Sequence, residues 1–399
     1  MSRRPAPKFL SLFSGCGGLD LGFTKAGSQA IAALDADPLV VGAYRRNLGT
    51  EAIQLDLSVP FPIPDAWRNT DVVLAGPPCQ GFSTAGKRRL NDPRNSLLMT
   101  AARIAIEIQP SVVIVENVAG AIAGRHKEYW NSMLSILRNG GYRAAELQCN
   151  ASTFGVPQNR KRAIAIAWNT TFEGKIELQE SPCPTLRATL SGIETAVNHS
   201  PKFLAPMSRA GMIACRIGCG QKLCNVRISP KAVHTWQIPK VFGRTSKEER
   251  EVLVGLLRRR RQRRLRDHGD ADPVTAQALR WYLKRPVAST LHKLTEKGYV
   301  RKVGSRYDFC HTFNGKFRRL EWDALAPTVD TKYGDPYYFL HPSEARAFTV
   351  REAARIQGFS DDFTFAGPVR TQFQMIGNAV PPPMANAIAE FVLANILSY

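Results

Sequence analysis

Phe9-Leu10-Ser11-Leu12-Phe13-Ser14-Gly15-Cys16-Gly17-Gly18 is an apolar run that breaks on a cluster of glycines near the start of a 399-residue chain. A short, nearly continuous apolar segment suits a strand covered on both faces. Glycines directly after it let backbone amides come close to a ligand at the strand's carboxyl end. A simple tight turn would use the same glycines. Outward from this point, a helical stretch leads to a second strand, Ala30-Ile31-Ala32-Ala33-Leu34, which ends on Asp35. Asp71-Val72-Val73-Leu74-Ala75 and Ser111-Val112-Val113-Ile114-Val115 are further strands, with a helix from Leu97 to Ile108 between them. Strands alternating with helices predict a doubly wound α/β fold on a parallel sheet.

The alternation stops near Trp168 and apolar patterning returns near Arg319, so residues 1–168 and 319–399 are expected to form one discontinuous domain around an insert, 169–318. Charge marks the same insert. The chain carries a formal net charge of +21, yet residues 200–319 alone hold 28 Lys and Arg against 8 Asp and Glu. A solvated face explains most charge runs. An imbalance that fills a whole module points instead to a polyanionic partner. No apolar run reaches the roughly 18 residues of a membrane span. The opening Met1-Ser2-Arg3-Arg4-Pro5 leads into a strand rather than a signal peptide, so an intracellular, cytoplasmic protein is expected. Eight cysteines scattered over such a chain do not suggest a disulfide framework.

Three clusters carry chemistry. Asp35, at the end of the second strand, stands where a carboxylate takes ribose hydroxyls, and Asp56 follows the apolar Ile53 and Leu55 where it could accept from an adenine amino group. Either alone reads as a turn residue; with the glycine cluster they suggest an adenosine-containing cofactor. Gly76-Pro77-Pro78-Cys79-Gln80-Gly81-Phe82-Ser83 puts a cysteine at the carboxyl end of a strand, behind two prolines that hold the backbone extended. Glu116-Asn117-Val118 ends the next strand on the same edge. A glutamate there is usually solvated, but beside a cysteine it becomes a general-acid candidate.

These segments resemble, in content and order, the motifs of the cytosine-5 DNA methyltransferase family. Phe13-Ser14-Gly15-Cys16-Gly17-Gly18 is similar to its first motif, Gly76 to Ser83 to its catalytic Pro-Cys-Gln loop, and Glu116-Asn117-Val118 to its Glu-Asn-Val motif. Gln158-Asn159-Arg160-Lys161-Arg162 is similar to its Gln-x-Arg-x-Arg motif, and Gln374-Met375-Ile376-Gly377-Asn378-Ala379-Val380 to its closing Gly-Asn motif. The resemblance covers residues 8–168 and 319–399 and implies a Rossmann-like methyltransferase fold using S-adenosylmethionine. It assigns Cys79 as nucleophile at cytosine C6, Glu116 as the acid at N3, and Arg160 and Arg162 as holders of the base's O2 and a phosphate. It places Phe13, Gly15, Gly17, Gly18, Asp35, Asp56, Pro78, Leu97, Asn378 and Val380 around the cofactor, with the C-terminal helix beside the first motif. Ala379 stands where the family often has a small polar residue, and is left out of that set. The family flips its target base out of double-stranded DNA, and a cognate restriction endonuclease can share the site. A monomer on DNA is expected.

The insert lies where this family keeps its target-recognition domain. Within it, helices near 272–284 and 286–297 followed by Tyr299-Val300-Arg301-Lys302-Val303, Gly304-Ser305 and Arg306-Tyr307-Asp308-Phe309 resemble a winged helix-turn-helix. A generic helix pair with a hairpin reads equally well. A helical block from Ser246 to Arg266 carries the tract Arg258-Arg259-Arg260-Arg261. Cys215, Cys219 and Cys224 with His234 have the donor types of a Cys3His zinc site, but not the spacing of a standard finger, so buried cysteines are the preferred reading and no metal is expected. Two rivals share the catalytic domain: a tRNA cytosine-5 methyltransferase and an inactive DNA-binding scaffold. The large basic insert disfavours the first, and the intact Cys79, Glu116, Arg160 and Arg162 disfavour the second.

Overall fold

The computed structural model describes residues 5–49, 52–78, 93–124, 127–262 and 272–398. Cys79 and the rest of its loop through Ser83 lie outside them. Contacts group the chain into two compact units, Met1–His199 with Asp323–Thr331 and Val350–Tyr399, and Ser200–Trp322 with Lys332–Thr349.

The first unit is built on seven strands, β1 (Lys8–Leu12), β2 (Gln29–Asp35), β3 (Ala52–Gln54), β4 (Val72–Ala75), β5 (Val112–Val118), β6 (Arg143–Asn150) and β7 (Lys161–Trp168), in the order β3-β2-β1-β4-β5-β7-β6. The expected strands and the crossover helices between them are present. Alternate side chains of the central strands feed separate cores. Leu10, Leu12, Val73 and Val115 pack with the helices α3 (Leu97–Ile108) and α4 (Lys127–Asn139), whereas Phe9, Val72, Leu74 and Ile114 pack with Phe23, Met384 and Ile388. The order reverses between β1 and β4, so a crevice opens at the carboxyl ends of these strands, where doubly wound folds bind ligands.

The sheet is parallel from β3 through β5, and one strand is reversed. β7 runs antiparallel to both β5 and β6. Ten residues connect β6 to β7, too few for the crossover that parallel neighbours require. This reversal points the Gln158–Arg162 segment back toward the crevice edge.

The helix α1 (Gly18–Lys25) follows the glycine cluster and packs on the C-terminal helix Pro382–Phe391. A side chain at Gly18 would collide with the Val380 carbonyl, and one at Gly22 with the backbone of Ala385 and Asn386, so glycine is demanded by helix contact at both. Buried Asp20 accepts from the Ser11 and Tyr44 hydroxyls at 2.8 and 2.7 Å, which ties α1 to β1 and to α2 (Pro38–Leu48). Burial lifts its pKa to about 6.

The unit boundaries differ from the composition breaks at 168 and 319. Residues 169–199 belong to the first unit although they lack periodicity. Leu186, Leu190 and Ile193 are buried, and Arg355 donates to the Thr189, Ser191 and Gly192 carbonyls. Residues 332–349 belong to the second unit, because Phe339–Leu340 pairs with Arg318–Arg319 and the Arg319 guanidinium donates to the His341 and Glu344 carbonyls. No helix among the described residues is long and apolar enough to cross a membrane.

Candidate active site

The β5–β7 register creates the site's central pair. Glu116 stands opposite Ile164, and Arg162 lies two residues from Ile164, so both side chains share one face of the sheet. Arg162 Nε donates to Glu116 Oε1 at 2.7 Å, and both side chains are buried. Burial pushes the Glu116 carboxyl above its ordinary range, against the opposing pull of Arg162 and then Arg160. The other carboxylate oxygen, Oε2, faces Gly76, where an added Cβ would sit 4.0 Å from it and 3.5 Å from the Phe13 carbonyl. Gly76 therefore runs between the first-motif turn and Glu116. The Asn117 side-chain amide donates to the Pro77 carbonyl at 3.3 Å and fixes the backbone just before Pro78. The chain continues from Pro78 into Cys79, which is not among the described residues.

The turn after β1 is left-handed at three positions, Phe13 (φ 54°), Gly15 (φ 58°) and Gly17 (φ 92°). Such a value is uncommon for phenylalanine and marks a backbone held by its surroundings. The Gly15 amide donates to Asp35 Oδ2 at 2.9 Å, and the Asp37 amide to Asp35 Oδ1 at 3.0 Å. A carboxylate has about four lone-pair sites, and with the Gly15, Asp37 and Ala36 amides on it Asp35 keeps capacity for a further donor. Gln54 of β3 pairs with Asp35 of β2, and two residues later Asp56 stands exposed, its carboxylate accepting from the Ser58 amide at 2.9 Å and held below its ordinary range by Ser58. Two carboxylates thus emerge from adjacent strand ends beside an open turn. Val380 touches this turn through Gly18; Leu97 is buried at the start of α3, and Asn378 is exposed at the end of the helix Val369–Asn378.

Arg160 stands elsewhere than its motif suggested. It is fully buried, and its guanidinium donates to the carbonyls of Val329 (2.9 Å), Gly377 (2.9 Å) and Ala379 (2.8 Å). Buried Gln158 joins the same network, bonded to Gln357, which donates to the Ala379 carbonyl at 2.6 Å. With those hydrogen bonds made, the Arg160 side chain is directed into protein rather than toward a base or phosphate. It fastens the closing motif to the strand that carries Arg162. The Ala379 carbonyl takes part, which explains why an apolar side chain is tolerated there. Arg160→Met is expected to lower stability by about 3 kcal/mol or more, since three buried carbonyls would each lose a donor at roughly 1 kcal/mol or more. Thermal unfolding measures this. A variant that melts like the wild type but loses catalysis would instead make Arg160 a substrate contact.

The sequence pattern of the C-5 cytosine-specific DNA methylases matches residues 7–394. The chain belongs to that family. Among its relatives, the Type II methyltransferase M.XorII of Xanthomonas oryzae pv. oryzae is 29% identical over 391 residues, spanning 96% of this chain and 83% of that protein. The Type II methyltransferase M.DdeI of Desulfomicrobium norvegicum is 28% identical over 395 residues, spanning 96% and 87%. Among solved structures, a DNA modification methyltransferase encoded within an Escherichia coli prophage superposes with a TM-score of 0.58 at 22% identity, covering 99% of this chain and 100% of that one. That likeness is one of fold.

In this family member the cysteines of the insert do not gather. Among the described residues no group of three or more His, Cys, Asp or Glu converges as metal ligands would. Cys219 Sγ lies 3.5 Å from the Leu320 carbonyl, Cys224 is buried, and His234 Nδ1 bonds the Cys224 carbonyl at 2.6 Å while its ring stacks on Trp236. Motif reading also missed the buried arginines of the second unit. Arg319 donates to the Ala214, Ile217, His341 and Glu344 carbonyls, Arg260 pairs with Asp308 at 2.7 Å, and Arg259 lies over the Trp281 and Tyr282 rings. Only their apolar neighbours, Leu256, Leu257 and Leu320, hinted at this in the sequence.

Proposed function

We propose that this chain is a sequence-specific DNA (cytosine-5-)-methyltransferase, with Cys79 as nucleophile and S-adenosylmethionine as methyl donor. The observation that carries the proposal is the buried Glu116–Arg162 pair, set against the Gly76-Pro77-Pro78 segment that leads into Cys79. A buried carboxyl group whose pKa burial raises, beside a chain segment that delivers a thiol, is the pairing that activation of a cytosine ring requires.

The cofactor fits the chemistry of the first unit. Adenosine offers hydroxyl and amino donors, and Asp35 and Asp56 offer acceptors at neighbouring strand ends, beside the open turn of Phe13, Gly15, Gly17 and Gly18. In this reading Pro78, Leu97, Asn378 and Val380 complete the lining. When bound, the sulfonium supplies an electrophilic methyl group.

The chain's own residues do the rest. The Cys79 thiolate adds to C6 of a cytosine flipped out of the duplex, and the electron pair of the C5–C6 bond moves toward N3. Glu116 donates its proton to N3 as that charge develops. C5, now an enamine carbon, would be nucleophilic enough to accept the methyl of a bound sulfonium, which would leave as a neutral thioether. Loss of the C5 proton to a base restores the ring and expels the thiolate, and Glu116 recovers the N3 proton. Arg162 keeps Glu116 in place and presents its remaining donors to the base's O2. The basic second unit acts as the target-recognition domain and binds duplex phosphates. The protein works on DNA in the cytoplasm as a monomer, and a cognate restriction endonuclease is a natural partner.

Purified protein given radiolabelled S-adenosylmethionine and either duplex DNA or tRNA tests the proposal. Label in duplex cytosines alone is the expected result. Label in tRNA with untouched DNA, or in neither, would overturn it.

A further inference from the structure

Residues 247–262 and 272–309 of the second unit form a module with its own core. A helix, Lys247–Gln262, precedes a short strand, Val274–Thr275, then a helix, Ala276–Leu283, a helix, Ala288–Glu296, and a hairpin of Val300–Val303 and Arg306–Phe309. The three strands pair antiparallel, with Arg306–Phe309 in the middle. Leu253, Leu256, Leu279, Leu291, Leu294, Val300 and Phe309 bury one shared core. Four residues separate the second and third helices, and Lys284 there is left-handed at φ 54°, which closes the tight turn. The order helix, strand, helix, helix, hairpin, with the first strand added to the hairpin, is that of a winged helix-turn-helix.

The third helix has one inner and one outer face. Thr290, Leu291 and Leu294 are buried, while Ser289, His292, Lys293 and Glu296 are exposed along the outside. The hairpin alongside exposes Arg301, Lys302, Val303 and Arg306 around the Gly304 turn. Charge favours a polyanion on this surface. Within 247–262 and 272–309 the chain has 14 Lys and Arg against 6 Asp and Glu. Four of the six acids are engaged within the module: Glu249 binds Lys297 at 2.7 Å, Glu251 binds Arg285 at 2.9 Å, Asp308 binds Arg260 at 2.7 Å, and Glu248 accepts from Thr290 at 3.0 Å; Glu296 stays on the outer face, 3.4 Å from the His292 ring. Lys293, Lys302 and Arg306 are exposed and make no ion pair among the described residues.

We infer that this winged helix is the part of the protein that reads base sequence in duplex DNA. The helix Ala288–Glu296 lies in the major groove, with Ser289, His292 and Lys293 on base edges, and Lys302 and Arg306 of the hairpin hold the phosphates beside it. A helix with its side chains is about 10–12 Å across and fits a major groove roughly 12 Å wide. Its polar, hydrogen-bonding outer face suits base edges and would suit a membrane or an apolar protein groove poorly. The inference rests on the proposed DNA methylation only for the identity of the substrate.

The test uses the full-length protein and two exposed double substitutions, each confirmed to melt like the wild type. Ser289→Ala with His292→Ala is expected to relax the preferred site by roughly 10- to 100-fold at one or two positions, read by bisulfite sequencing of a methylated pool of duplexes with a randomised centre. Lys302→Gln with Arg306→Gln is expected to leave the preferred site unchanged. It should reduce the slope of log affinity against log salt by about 2, measured by fluorescence anisotropy on a labelled duplex, since each phosphate contact contributes about 0.9. Wild-type site preference in the first variant together with a wild-type salt slope in the second would overturn the inference while methylation by the wild type stood. Conversely, wild-type protein that binds duplex through these residues without transferring methyl would sustain the inference and remove the proposed activity.

Discussion

Cys79→Ala is expected to abolish methyl transfer, lowering kcat by at least ~10⁴-fold, the scale on which a covalent mechanism collapses without its nucleophile. Among the described residues Cys16 is buried against the Met375 carbonyl with its thiol pushed up to about 12, and Cys149 is buried with its thiol at about 11. Neither supplies thiolate near neutral pH. The clearest measurement is trapping rather than rate. Fluorine in place of the C5 hydrogen cannot leave as a proton, so the wild-type protein should hold a 5-fluorocytosine duplex covalently through a denaturing gel. The variant should show no such band, yet bind the unmodified duplex with unchanged affinity, because the basic second unit is untouched. A surviving covalent band in Cys79→Ala would move the nucleophile elsewhere in the chain.

How far the sequence could be read depended on the range of the interactions involved. Phe9 to Leu12, Val72 to Ala75 and Val112 to Val115 are strands by local apolar content alone, and Leu97–Ile108 is a helix by its own periodicity. The glycine cluster was legible because its need is also local, a backbone that must turn left-handed. Pairing direction was not. Nothing inside Lys161–Trp168 says that it opposes β5; the shortness of its link to Arg143–Asn150 says so, once both are known to be strands. The same limit governs the two arginines of one motif. Arg160 and Arg162 have the same residue type and lie two positions apart, yet one donates to carbonyls from residues 329, 377 and 379 and the other meets Glu116. Only partners some 170 to 220 residues away in sequence separate a structural arginine from a candidate catalytic one.

The insert carries the same lesson for charge. Its composition pointed to a polyanion, but composition counts Arg259, Arg260 and Arg319 equally with Lys302 and Arg306. The first three are buried, against aromatic rings, a carboxylate and carbonyls; the last two are exposed. Net charge therefore overstates the number of cations able to meet phosphates. A salt slope smaller than 28 basic residues would suggest follows directly from this division.

Glu116→Gln should reduce kcat by roughly 10²- to 10⁴-fold, the usual worth of a positioned general acid. The amide keeps the shape of the side chain and can still accept from Arg162, so folding should survive. It cannot surrender a proton to N3. The pH dependence separates this role from mere packing. Burial raises the Glu116 pKa, so the carboxyl holds its proton to a higher pH than an ordinary glutamate, and Arg162 limits the rise by favouring the carboxylate. The wild-type rate should climb as Cys79 ionises and then fall as Glu116 loses its proton. In Glu116→Gln the falling limb should vanish while the rising limb remains, because the thiol is unchanged. Arg162→Met sharpens the assignment from the other side. Without the guanidinium the carboxyl is buried alone, its pKa rises further, and the falling limb should move to higher pH even as the rate drops for want of a donor at O2. Profiles of kcat against pH for the three proteins decide the matter. An unshifted falling limb in both variants would assign the proton at N3 to another group.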